Sequence, residues 1–205
     1  MSAAARFLAL GDSYTIGEGV PEDGRWPAQL AARLSAEGFA LDAPHYIATT
    51  GWTTDELQAG IAAAAPVGPY ALVSLAIGVN NQYRGWPLDT YRAQFGELLD
   101  QAIGFAGGRA SRVVVVSIPD WGRTPFARQQ GRDADVVARE IDAFNAAAAD
   151  VCAQRGVAFV EITAASRAQA EDIAMLADDG LHPSAAMYAH WARQALPPAR
   201  RALSA

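Results

Sequence analysis

A hydroxyl, an imidazole and a carboxylate are the working parts of a nucleophilic hydrolase, and this chain carries them near its two ends. Gly11-Asp12-Ser13 follows the first apolar run, and Asp179-Gly180-Leu181-His182-Pro183 precedes the last helical pattern. A serine hydroxyl attacks a carbonyl at neutral pH only when an imidazole takes its proton and a carboxylate holds that imidazole in place. Asp179 and His182 are three residues apart, so one turn of chain brings carboxylate and ring within reach. Asp179 would accept the Nδ1 proton and leave Nε2 free to act as base toward Ser13. Asp178 competes for the same task, and spacing does not choose between the two. His182 also stands at the threshold of a helix, whose positive end disfavours imidazolium and keeps the base neutral. Taken alone, Gly-Asp-Ser equally describes a turn or a helix cap, with Asp12 anchoring the loop backbone.

Two further groups could hold the negative charge that such an attack creates. In Thr49-Thr50-Gly51-Trp52-Thr53-Thr54 the glycine permits an unusual backbone conformation and close approach of its N–H to a bound oxygen. In Ile77-Gly78-Val79-Asn80-Asn81 an asparagine amide offers a neutral N–H donor suited to an oxyanion. Both stretches also read as ordinary turns, and two adjacent asparagines do not reveal which one points inward. Tyr14, Trp52, Tyr83, Trp86, Trp121 and Phe126 lie on or near loops that follow strand patterns, where aromatics either line a pocket or complete the core. Tyr14, Trp52, Asn81, Tyr83 and Trp121 are the substrate-pocket candidates. Arg84 and Arg123 in the same loops fit an anionic group or solvent equally well.

The elements that must position these residues alternate in kind. Strands are expected at Arg6 to Leu10, His45 to Ala48, Ala71 to Ile77, Arg112 to Ile118 and Val157 to Val160; Val113-Val114-Val115-Val116 is the clearest buried run. Helices are expected at Trp26 to Glu37, Thr53 to Ala64, Leu88 to Ala106, Asp133 to Arg155 and Ser184 to Leu203, the last bent or interrupted at Pro197-Pro198. Thr53 with Glu56 three residues on has capping-box spacing. Five β–α alternations with short connections predict a parallel sheet with helices on both faces. In such sheets ligands bind beyond the carboxyl ends of the strands, and every motif above falls at such an end. The long irregular stretch from Pro119 to Arg132 is expected to be functional or mobile.

Composition narrows the classes. With 205 residues, 51% apolar and 19% charged, the chain is expected to bury one core, as a single domain over 1–205. A net charge of -6 without a basic stripe argues against a nucleic-acid partner. One cysteine, Cys152, rules out an internal disulfide and a cysteine-based metal site, and no two histidines have zinc-ligand spacing; His45 and His190 read as surface or satisfied core. No apolar run approaches the roughly 18 residues of a membrane span, and no signal-peptide pattern opens the chain. The expected location is the cytoplasm, although a removed leader would leave no trace here.

From Leu10 to Pro183 the motifs resemble, in order, those of the SGNH hydrolases, also called the GDSL esterase/lipase family. Gly11-Asp12-Ser13 is similar to the first block, Gly51 to the second-block glycine, Gly78-Val79-Asn80 to Gly-x-Asn, and Asp179-Gly180-Leu181-His182 to Asp-x-x-His. Tyr14 departs from the usual leucine, and Asn81 from the aspartate of many members. The resemblance implies a flavodoxin-like three-layer αβα sandwich with no cofactor. It also implies Ser13 as nucleophile and an oxyanion hole from the Ser13 and Gly51 amides and the Asn80 side chain. The expected activity is hydrolysis of a small ester, of short acyl or acetyl type; a lysophospholipase, a thioesterase or a non-catalytic carbohydrate-binding module are the alternatives.

Overall fold

Each apolar run that is too short for a helix is taken up as a strand, and each longer amphipathic pattern covers one side of the resulting sheet. The computed structural model describes residues 5–169 and 172–204. In chain order the elements are β1 (Phe7–Gly11), α1 (Ser13–Ile16), α2 (Trp26–Ala36), β2 (His45–Ala48), α3 (Thr54–Ala64), β3 (Leu72–Ala76), α4 (Val79–Tyr83) and α5 (Leu88–Phe105). There follow β4 (Val113–Val116), α6 (Pro125–Gln129), α7 (Ala134–Arg155), β5 (Ala158–Val160), α8 (Thr163–Gln169) and α9 (Ala185–Ser204). All five strands are parallel, in the order β2-β1-β3-β4-β5.

The central strands β1, β3 and β4 are buried at every position, which a parallel sheet covered on both faces requires. Each fully buried valine of β4 contributes about 1.5–3 kcal/mol of transfer free energy. On one side α2 packs against α9; on the other α5 packs against α3 and α7. The chain leaves β1 toward β2 in one direction and later returns through β3 toward β4 and β5 in the other. The crevice between β1 and β3 is therefore the topological switch point, where open α/β sheets bind their ligands. Ser13 stands just beyond β1 and Asn80 just beyond β3.

Local chemistry sets the helix ends. Thr53 caps α3: its N–H donates to Glu56 Oε2 at 2.8 Å and its hydroxyl meets the same oxygen at 3.0 Å. Asp133 caps α7 through the amides of Asp135 and Val136. Helix α9 is not interrupted at Pro197 and Pro198 but continues through both. Tertiary packing overrides the local preference: Ala195, Ala199 and Ala202 keep one buried face through the prolines, and Arg200 forks onto both Glu37 oxygens at 2.7 and 2.6 Å. Among the described residues no helix is long and apolar enough to cross a membrane.

Candidate active site

The first strand ends in a tight, buried turn. Asp12 caps α1 by accepting the Tyr14 N–H on Oδ1 at 3.0 Å, and Gly17 closes the helix in the left-handed conformation. This leaves Ser13 at the first helical position, 4% exposed. Gly11 leaves no room for a larger residue, because a Cβ there would come within 2.4 Å of the Ala76 carbonyl of β3. Burial drives the Asp12 carboxyl up to about 7, against the lowering effect of the amides it accepts.

That shift has a stability consequence. Between about pH 4 and 7 the folded chain holds a proton on Asp12 that the unfolded chain releases, so stability falls as pH rises through that window and the penalty is complete above it. Asp12→Asn can keep the bond from Tyr14 and cannot ionise. Thermal melts from pH 4 to 8 should show the variant gaining on the parent up to about pH 7. A difference in Tm that is constant with pH would remove the carboxyl from this role.

At the other end of the chain, residues 177–182 fold back on themselves. Ala177 N–H donates to the His182 carbonyl at 2.7 Å, and Gly180 takes φ +65°, where a side chain would be strained. The loop wraps around Asp179: Oδ1 accepts the Leu181 and His182 amides, both at 2.9 Å, while Oδ2 accepts His182 Nδ1–H at 2.5 Å. Burial raises the Asp179 carboxyl, but these hydrogen bonds outweigh it and hold the group below the usual carboxylate range. Of the two adjacent aspartates, it is Asp179 whose carboxylate meets the imidazole. With its Nδ1 proton committed, His182 turns Nε2 toward Ser13 and accepts from Oγ at 3.0 Å.

Gly51 lies across the cavity mouth with φ +86°. Its surroundings are tied from several sides. The Arg84 guanidinium donates to the Gly51 carbonyl at 2.7 Å, the Thr50 hydroxyl donates to Glu18, and Asn80 Nδ2 donates to the Trp52 carbonyl at 2.9 Å. Asn80 spends one of its two amide hydrogens on that bond and has one left. Among the described residues the Ser13 and Gly51 amides donate to no protein acceptor.

Ser13, Gly51, Asn80 and His182 share one cavity of about 190 Å³, whose other walls are Tyr14, Thr50, Val79, Tyr83, Trp121, Phe126 and Leu181. The wall is fixed by polar contacts behind it. Trp121 Nε1 donates to Gln82 Oε1 at 2.8 Å, and Gln82 Nε2 donates to Glu140 at 2.6 Å. The Pro119–Arg132 stretch is held as well: buried Asp120 pairs with Arg167 at 2.7 Å and accepts the Gly122 amide.

Two pocket candidates require correction. Trp52 does not line the cavity; its ring lies on α3, so close to Gly60 that a Cβ there would come within 2.2 Å of it. Its carbonyl accepts the bond from Asn80, which does line the cavity. Asn81 is fully buried and tied to α3 instead, accepting the Thr54 amide at 3.1 Å and donating to the Thr54 hydroxyl at 2.8 Å. Helix α4 turns successive side chains to different neighbours, so only Asn80 of the pair reaches the cavity. Val79, Leu181 and Thr50 are wall residues that the sequence reading overlooked, although each lies inside a stretch it had singled out. Trp86 is absent from the wall, and His45 is satisfied by the Tyr70 hydroxyl at 2.9 Å. Among the described residues no three His, Cys, Asp or Glu side chains are grouped as a metal site.

The parallel sheet that carries this constellation at its switch point has the layered α/β architecture of the SGNH hydrolases. The chain belongs to the GDSL-like lipase/acylhydrolase family, whose model matches residues 9–190, and is a carboxylic ester hydrolase. Solved structures share the fold at low identity. TesA is 22% identical with a TM-score of 0.74, over 94% of this chain and 97% of its own. Axe2, an acetylxylan esterase from Geobacillus stearothermophilus, is 21% identical with a TM-score of 0.71, over 97% and 96%. A lipase/acylhydrolase from Enterococcus faecalis is 18% identical with a TM-score of 0.68, over 96% and 95%. No curated protein sequence matches the chain significantly.

Proposed function

We propose that the chain hydrolyses short acyl or acetyl esters through a serine-bound acyl intermediate. The observation that carries this reading is the unbroken chain from Asp179 Oδ2 through His182 to Ser13 Oγ, at 2.5 and 3.0 Å, opening into one cavity. Ser13 Oγ attacks the ester carbonyl and its proton passes to His182 Nε2. The oxyanion is held by the Ser13 and Gly51 amides and the remaining Asn80 N–H. The carbon–oxygen bond to the alcohol breaks, and the imidazolium returns its proton to the departing alkoxide. Water then attacks the acyl group, His182 accepts its proton, and collapse releases the acid while that proton goes back to Ser13 Oγ. Asp179 stays ionised throughout and stabilises the imidazolium.

The apolar wall favours the acyl part of an ester over a charged group, and a cavity of about 190 Å³ suits a small one. The substrate named for Axe2, acetylated xylan, points the same way. Labelling with a fluorophosphonate, followed by peptide mass spectrometry, should place one adduct on Ser13; p-nitrophenyl acetate should be turned over by the unlabelled protein only. A protein that is neither labelled nor active on esters would end this reading in favour of a binding role.

Arg84 acts here as a positioning residue. It is 43% exposed and pairs with Glu56 at 3.3 Å, yet its contact with the Gly51 carbonyl fixes the glycine that presents its N–H to the oxyanion. An exposed ion pair of this kind adds little stability. Arg84→Ala should therefore lower kcat by about tenfold with a much smaller change in KM and Tm. A fall in Tm with kcat unchanged would make Arg84 a surface clamp only.

A further inference from the structure

Behind the cavity that holds Ser13 lie two much smaller voids. One, of about 20 Å³, is bordered by Met175, Leu176, Pro183, Met187 and Trp191; the other, of about 10 Å³, lies against Asp12, Ile118 and Trp191. A single side chain borders the cavity and both voids: Tyr14. Its amide is pinned by Asp12, its ring leans on His182 at 5.4 Å and on Trp191 at 6.0 Å, and only 5% of the residue is exposed. The surface of the larger void is mostly apolar, with two methionines that repack readily, and Asp120, Thr124 and Ser166 also border it.

We propose that Tyr14 is the specificity-determining wall of this site: it stops the acyl chain short, and without its ring the chain would extend into the voids behind. The inference rests on the esterase reading above and deepens it. The acyl half is the part concerned because it is the half that becomes bonded to Ser13 Oγ, next to Tyr14 in the chain, while the alcohol departs. A void of about 20 Å³ has room for roughly one water-sized group, so the undisturbed wall accommodates no further methylenes. Leu181 borders both the cavity and the larger void and completes the same wall from the other side.

The experiment compares the parent chain with Tyr14→Leu, Tyr14→Phe and Leu181→Ala, each checked for folding by thermal melting. Two readouts are taken: kcat/KM on p-nitrophenyl esters from acetate to octanoate, and calorimetric titration with butyrate and octanoate. The parent should prefer the two- to four-carbon esters. Since each accommodated methylene is worth about tenfold, Tyr14→Leu and Leu181→Ala should raise the octanoate-to-acetate ratio at least tenfold and bind octanoate correspondingly more tightly, with butyrate little changed. Tyr14→Phe keeps the ring and should keep the parent preference. Leu181→Ala serves in place of Tyr14→Leu if that variant does not fold. Octanoate binding unchanged in the folded wall variants, or Tyr14→Phe shifting as Tyr14→Leu does, would overturn the proposal. If the parent hydrolyses none of the esters, the esterase reading falls, and the titrations alone decide the wall.

Discussion

Ser13→Ala and His182→Ala should each lower kcat on p-nitrophenyl acetate by about 10⁴–10⁶-fold, and the double variant should be hardly worse than either. The reason is that the two groups act as one device. Without Nε2, 3.0 Å from the hydroxyl, Oγ has no acceptor for its proton; without Oγ, the base has nothing to activate. The residual rate should exceed that in water, because Ser13→Ala keeps the backbone N–H and leaves Gly51 and Asn80 in place. Neither substitution opens a large cavity, so Tm should move little. Steady-state kinetics, with thermal melting as control, decide the matter. Turnover that survives in either folded variant would remove that residue from the reaction.

The second large effect separates the adjacent asparagines. Asn80→Ala should lower kcat by about 10²–10³-fold, the usual cost of one oxyanion donor. Asn81→Ala should act on the fold instead. It removes both bonds to Thr54 and leaves a buried amide unsatisfied, at a cost of about 1–3 kcal/mol in stability. Chemical denaturation beside ester kinetics reads both quantities for both variants. The opposite pattern, with the rate lost on Asn81→Ala and stability lost on Asn80→Ala, would assign the donor to the wrong residue.

Much of the architecture was legible because strong periodic signals agreed with the tertiary outcome. The run Val113-Val114-Val115-Val116 became β4 residue for residue, and Thr53 with Glu56 formed the cap that their spacing announces. The short helices α1, α4, α6 and α8 escaped notice, since four to seven residues are too few for a 3.6-residue period to show. The same limit explains Asn81 and Trp52. Once the residues after β3 form a helix, neighbours in sequence diverge by about 100° around its axis, and only the fold tells which one meets the cavity. The Trp52 ring packs on Gly60, eight positions on, a contact that no local pattern reveals.

The amino-acid sequence on its own determined the chemistry available here: which hydroxyl, imidazole and carboxylate are present, their order, and the alternation of strand and helix that carries them to one sheet edge. Those are properties of residue type and short-range spacing, and they survive any detail of packing. Tertiary structure alone set that the Asp179 carboxylate meets the His182 ring, that Asn80 borders the cavity while Asn81 turns to Thr54, and which aromatics form the wall around Ser13. Such choices depend on the direction of each Cα–Cβ bond relative to elements distant in the chain. Only the assembled fold, bringing Ser13 Oγ and His182 Nε2 to 3.0 Å from each other, sets those directions.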